Sequence, residues 1–127
     1  MSCPPVLSFA PLGPSLELFA EAGMERIRDK SLRITSYLEW LLDELAGPRA
    51  QFLTPRDPDS RGAQLSLRVR DARGLQEALA GDGMDTDVRE PDILRLAPAP
   101  LFNTYHEVWR AAKLVARRLT DGDALDG

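Results

Sequence analysis

Arg95 stands inside a short apolar stretch, Ile93, Leu94, Leu96 and Ala97, and a proline-rich loop from Pro98 to Phe102 follows at once. A guanidinium among apolar neighbours costs free energy unless an anion or a hydrogen-bonding partner meets it. Its planar fork matches a carboxylate held by two parallel bonds. The pattern therefore reads as a carboxylate clamp at a strand end. The same spacing permits a structural ion pair with Asp92 or Glu90, and the residues alone leave both readings open.

Other residues near this run suit a supporting role. Arg89 and Glu90 are expected to pair and to shape the turn that presents Arg95. Arg61-Gly62 comes just before an alternating stretch. There Gly62 either allows close approach at a site mouth, with Gln64 and Ser66 turned toward it, or simply joins loop to strand. A solvated position is preferred for Ser66, and Arg61 is left open between the two. Asn103 either caps the following helix or ties down the Pro98–Phe102 loop, with capping preferred. His106, the one histidine, is expected on the surface of a first helical turn. Trp40 and Trp109 are expected in a core or an interface.

Several chemistries find no support. One cysteine, Cys3, allows no internal disulfide and suits a reducing cytoplasm. No histidine lies near Cys3 in sequence, and a flexible terminus seldom lowers a thiol pKa, so catalysis by Cys3 is not expected. Neither Cys-x-x-Cys nor His-Glu-x-x-His occurs, so no metal site is expected, and neither common glycine-rich phosphate loop is present. The formal charge is −4, and the arginines alternate with acids, as in Glu25, Arg26, Arg28 and Asp29. That is a mixed solvated surface and not a nucleic-acid footprint. No apolar run approaches the ~20 residues of a membrane span. The first twelve residues lack a basic flank and carry Pro4, Pro5 and Pro11, which makes a poor secretory signal.

The elements that must position Arg95 follow from periodicity. At 127 residues with 43% hydrophobic content, the chain suits one domain with one core. Residues 1–13 form an apolar, proline-rich lead that should lie against something. Pro14-Ser15 opens a helix in which Leu16, Phe19 and Ala20 share a face, and Gly23 ends or bends it. Met24, Ile27, Ser31, Ile34, Leu38, Leu41 and Leu45 then recur every three or four residues, widened by Tyr37 and Leu42. Glu39 falls among the polar positions, and Gly47-Pro48 stops the helix. Phe52-Leu53-Thr54 reads as a short strand. Ala63, Leu65, Leu67 and Val69 alternate with polar residues, as in a half-buried antiparallel strand. Asp71 caps a short helix to about Ala80, with Leu75 and Leu79 inward. Met84–Arg89 is a weaker strand and Asp92–Leu96 a better one. Thr104 caps a last helix with Val108, Ala112, Val115 and Leu119 as its seam. The expected architecture is α+β: a mainly antiparallel sheet of three to four strands with helices packed on one face. The domain runs over 14–120, and 121–127 is a flexible tail.

Several of these segments together resemble one family, kynureninase, in order and spacing. They are Pro4-Pro5-Val6-Leu7, Ser15 through Met24, Arg28-Asp29-Lys30-Ser31-Leu32, Tyr37-Leu38-Glu39 and Arg61-Gly62-Ala63-Gln64-Leu65-Ser66. Arg89-Glu90-Pro91-Asp92-Ile93-Leu94-Arg95 and Ala97-Pro98-Ala99-Pro100-Leu101-Phe102-Asn103 complete the set, which covers about residues 4–116. The Arg-Glu-Pro-Asp and Pro-Leu-aromatic-Asn pieces are highly specific in combination. The resemblance implies the small, C-terminal domain of a pyridoxal-phosphate hydrolase of the aspartate-aminotransferase fold type. It implies hydrolysis of L-kynurenine to anthranilate and L-alanine in tryptophan catabolism. It also implies that Arg95 binds the α-carboxylate of a small amino-acid substrate; Arg61, Gly62, Arg89 and Asn103 stand beside it as the candidate supporting residues read from the chain.

The family's cofactor lysine, phosphate-binding residues and pyridine-nitrogen aspartate belong to a large domain that this sequence is expected to lack. The only lysines are Lys30 and Lys113, on expected solvated helix faces, and neither resembles the cofactor lysine. Cys3 stands where the family usually has asparagine or threonine. Pyridoxal phosphate is thus expected only through a partner large domain, with none bound by this chain alone and no hydrolase activity alone. The alternative is a non-enzymatic interaction or dimerisation module derived from the same domain. Without its partner, the domain is expected to expose an apolar patch near Pro4–Leu12 and the sheet end by Arg95, and to self-associate. No nucleic acid or membrane partner is expected.

Overall fold

Proline lacks an N–H, so it is tolerated in a first helical turn, where four N–H groups have no partner anyway. The computed structural model, which describes residues 9–124, accordingly starts helix α1 at Leu12, with Pro14 in its first turn, and ends it at Ala22. The lead segment before Phe9 and the residues after Ala124 lie outside the described residues. Gly23 takes a left-handed φ of 81° and donates its N–H to Phe19 O at 2.9 Å, which closes α1 and redirects the chain. Helix α2 (Met24–Ala46) follows directly.

The chain then forms β1 (Gln51–Phe52), a loop with a 3-10 turn at Pro58–Ser60, and β2 (Leu65–Arg68). Helix α3 (Ala72–Gly81) is capped by Asp71, whose carboxylate accepts from Gly74 N at 2.8 Å. Strands β3 (Asp87–Arg89) and β4 (Ile93–Leu96) form a tight antiparallel pair whose turn contains a cis Glu90-Pro91 peptide. Helix α4 (Tyr105–Ala124) ends the described chain, past the boundary expected at 120. Its start is a capping box: Glu107 N donates to Thr104 Oγ1 at 3.2 Å, and Thr104 N donates to Glu107 Oε2 at 2.7 Å.

The four strands make one antiparallel sheet in the order β1-β2-β4-β3. Period-two alternation sends Leu65 and Leu67 of β2 and Leu94 and Leu96 of β4 to one face. There they join Ile34, Leu38 and Leu42 of α2, Leu79 of α3, and Val108, Ala112 and Val115 of α4 in one core. The expected architecture is the observed one. At β1 the strand starts one residue and ends two residues earlier than expected, its last cross-strand bond running from Leu53 N to Ser66 O at 2.8 Å.

One expectation for the helices needs correction. The buried stripe of α2 is turned away from its expected ends: Met24 and Leu45 are exposed, while Thr35, Glu39 and Ala46 are buried. The reason is that α2 packs chiefly along α4, whose seam meets Leu38, Leu41 and Leu42. Of the two settings expected for Trp40 and Trp109, core or interface, burial excludes the core. Trp40 is 55% exposed and Trp109 38% exposed, and Trp40 stacks on Tyr37 with a centroid separation of 6.0 Å.

Candidate functional site

The same alternation that buries the leucines turns Gln64, Ser66, Ile93 and Arg95 to the opposite face of the sheet. Register places Ser66 of β2 and Asp87 of β3 directly beside Arg95 on β4. The Arg95 side chain is 26% exposed and lines an open depression of about 540 Å³. Leu53, Thr54, Pro55, Arg61, Gly62 and Arg89 form much of its wall.

Arg95 is met from two sides. Its Nε donates to Gln64 Oε1 at 2.8 Å, and Nη2 donates to the same oxygen. Its Nη1 donates to Asp87 Oδ2 at 2.6 Å. The partners expected from sequence, Asp92 and Glu90, are engaged elsewhere: Asp92 pairs with Arg68 at 3.0 Å and Glu90 with Arg73 at 2.6 Å. Cross-strand register decides this. Asp87 lies opposite Arg95, whereas Glu90 sits in the turn and Asp92 just before the strand. Arg89 therefore does not pair with Glu90; its Nη1 reaches Asp87 Oδ1 at 3.4 Å and Val88 O at 3.4 Å.

Arg61 is a buried structural cation. Its side chain is 2% exposed, Nη2 donates to Glu39 Oε2 at 2.6 Å, and Nη1 donates to Pro55 O at 3.1 Å. Glu39, which periodicity assigns to the polar side of α2, is buried because this pair satisfies it. Arg56 adds a 2.9 Å bond to Glu39 Oε1 and a 2.6 Å bond to Asp43 Oδ2. The hydrogen bond from Arg56 to Asp43 is the main cause of a raised guanidinium pKa. Arg28 donates to Pro58 O at 3.1 Å and Arg61 O at 3.2 Å. Three arginines thus pin the loop beside the depression onto α2. A charged residue at a half-polar helix position gives no sequence signal that it will be buried; only its partner decides.

Gly62 lines the depression, yet a Cβ built on it meets nothing within 4 Å, so among the described residues none needs its smallness. Asn103 does not cap α4. Its Oδ1 accepts from Ala99 N at 2.8 Å and ties down the Pro98–Phe102 loop, because Thr104 already provides the cap. It also lies away from Arg95, in a second cleft of about 400 Å³ lined by Leu38, Pro98, Val108 and Arg110. His106 is exposed and packs its ring on Trp109 with centroids 5.5 Å apart. Asp87 is the site residue that sequence reading missed, and Gln64, expected at most to face the site mouth, is found to hold Arg95 itself. The i+2 alternation places Gln64 on the right face, but its partner comes from a strand thirty-one residues away.

The lysines do not fit as a cofactor anchor at this site. Lys30 belongs to α2 and Lys113 to α4, where its Nζ lies 4.4 Å from the Trp109 ring centre, and neither lines the depression. Among the described residues, no helix is long and apolar enough to cross a membrane, and no group of three or more His, Cys, Asp or Glu is placed to hold a metal.

Comparison with known proteins gives a consistent picture. The family model described as "Kynureninase C-terminal domain" matches residues 27–115. Kynureninase of Salinispora tropica is 48% identical over 120 residues, covering 91% of this chain and 28% of that protein. Kynureninase of Myxococcus xanthus is 50% identical over 114 residues, covering 89% of this chain and 27% of its own length. Kynureninase of Bacillus cereus is 43% identical over 119 residues, with 93% and 28% covered. The chain therefore spans under a third of the length of these relatives.

Proposed function

This chain belongs to the kynureninase family, as a match to its C-terminal domain, and from that premise we propose that it is the substrate-carboxylate-binding domain of a kynureninase-type hydrolase. The reaction would be that of the family, L-kynurenine and water to anthranilate and L-alanine. Arg95 would bind the α-carboxylate of the substrate. The supporting observation is its placement: a half-buried guanidinium on the sheet face opposite the core, lining an open depression. Arg95 has five N–H donors and Gln64 and Asp87 engage three of them, so one N–H on each terminal nitrogen is left for an incoming carboxylate. Fixing the carboxylate orients the rest of the substrate, a positioning contribution to rate.

Pyridoxal phosphate would be held by residues outside this chain, because neither lysine is near Arg95. The corresponding partner is a large domain such as the longer relatives have room for. Helix α1 supports a covering partner: it has no buried residue, and Leu12, Leu16, Phe19 and, just beyond, Met24 are exposed. The chain alone is then inactive.

The test is anthranilate release from L-kynurenine with pyridoxal phosphate, using this chain alone and mixed with the remaining part of a kynureninase. Activity only in the mixture, lost in Arg95→Ala, is the expected result. Turnover by the chain alone would overturn the assignment. A folded chain that neither complements nor binds an amino-acid carboxylate would point instead to an interaction module.

A further inference from the structure

The bonds around Arg95 carry a second consequence, which rests on the carboxylate-binding reading. Gln64 Oε1 accepts from both Nε and Nη2 of Arg95, so it grips one whole edge of the guanidinium. The amide is itself fixed in one sense. Its Nε2 donates to Ser66 Oγ at 3.0 Å, and a guanidinium, which has no acceptor, can only face the amide oxygen. Ser66 is in turn held where its N donates to Thr54 Oγ1 at 2.8 Å. Asp87 already pairs with Nη1 at 2.6 Å, and Gln64, a neutral acceptor, fixes the opposite edge of the guanidinium without adding a second negative charge.

We propose that Gln64 is a positioning residue that presets Arg95 for a two-oxygen carboxylate, with Ser66 setting the sense of the Gln64 amide. Arginine has several rotatable bonds, and a side chain already fixed in its binding geometry loses less freedom when the ligand arrives. Gln64 thus raises carboxylate affinity without touching the carboxylate.

The experiment is NMR of the Arg95 Nε–H group in this chain, with the signal identified by its loss in Arg95→Lys, followed by titration with L-alanine as the carboxylate probe. In the wild type the Nε–H is expected to be rigid and to shift on titration. Gln64→Leu should make it mobile and weaken L-alanine binding by about tenfold, the size expected from freeing one long side chain. Gln64→Glu keeps the acceptor but adds a charge: Arg95 should stay rigid while L-alanine binding still weakens. Ser66→Ala should act as Gln64→Leu does, but less. Unchanged backbone amide signals elsewhere would separate these effects from misfolding. A rigid Arg95 and unchanged affinity in Gln64→Leu would overturn the proposal. Failure of L-alanine to shift Arg95 in the wild type would instead overturn the carboxylate reading, and the Gln64 role with it.

Discussion

The two faces of the sheet are built from the same four strands, yet they solve opposite problems. On the covered face, Leu65, Leu67 and Leu94 have no exposed surface, and Leu96 almost none. They are held by area removed from water, which is non-directional and tolerant of exact neighbours. On the open face, Arg95, Asp87, Gln64 and Ser66 are held by directional bonds between groups that stay partly wet. The first face sets stability, and the second is the face to which the proposed function assigns binding. The contrast shows why one residue of shift in register would be ruinous: it would bury Arg95 and expose four leucines.

The largest expected effects come from the buried layer and from the pair that anchors the open face to it. Glu39→Ala leaves Arg61 buried without its carboxylate and should destabilise the domain by roughly 3–5 kcal/mol, read by urea denaturation. Leu67→Ala on the covered face should cost about 2–5 kcal/mol in the same measurement, through lost burial and a residual cavity. Equal stability of either variant and the wild type would break the contrast.

Arg95→Ala is expected to behave oppositely. Stability should change by no more than about 1 kcal/mol, the scale of an ion pair open to solvent. The kcat/KM of the reconstituted mixture should fall by about a hundredfold or more, the scale for removing one partner of a hydrogen-bonded charge pair. A large loss of stability with little loss of kcat/KM would reverse the assignment of the two faces.

The smallest effect is a pH dependence at the edge of α4. Hydrogen bonds from the Thr104 backbone N–H and then its hydroxyl lower the Glu107 pKa below its ordinary value of 4.5. A depressed folded pKa means that this contribution is fully present above the unfolded pKa and is lost as pH falls through the folded one. The Tm of the wild type should therefore drop slightly more than that of Glu107→Gln between pH 6 and roughly pH 3. Parallel melting curves would show that the capping box adds nothing that titrates.

Much of the fold was legible because it depends on local pattern. The alternation from Ala63 to Val69, the Asp71 and Thr104 caps, and the stop at Gly47-Pro48 each rest on neighbours within a few residues. The partners of charged groups were not legible. Arg95 was read correctly as needing a partner, but Asp92 and Glu90 were nearer in sequence than Asp87 and Gln64. Glu39 and Arg61 are separated by twenty-two residues, and neither carries a mark that it will be buried. Asn103 and Thr104 both have capping side chains, and backbone geometry gave the cap to Thr104.

The sequence by itself determined the family, the class of fold and the presence of one arginine set among apolar residues that needs a partner, because motif order, periodicity and residue chemistry are properties of the chain. The tertiary structure alone decided which groups meet that arginine, which helix stays uncovered and which acid is buried. Those outcomes depend on cross-strand register and on helix packing, and both bring together residues that no local pattern connects.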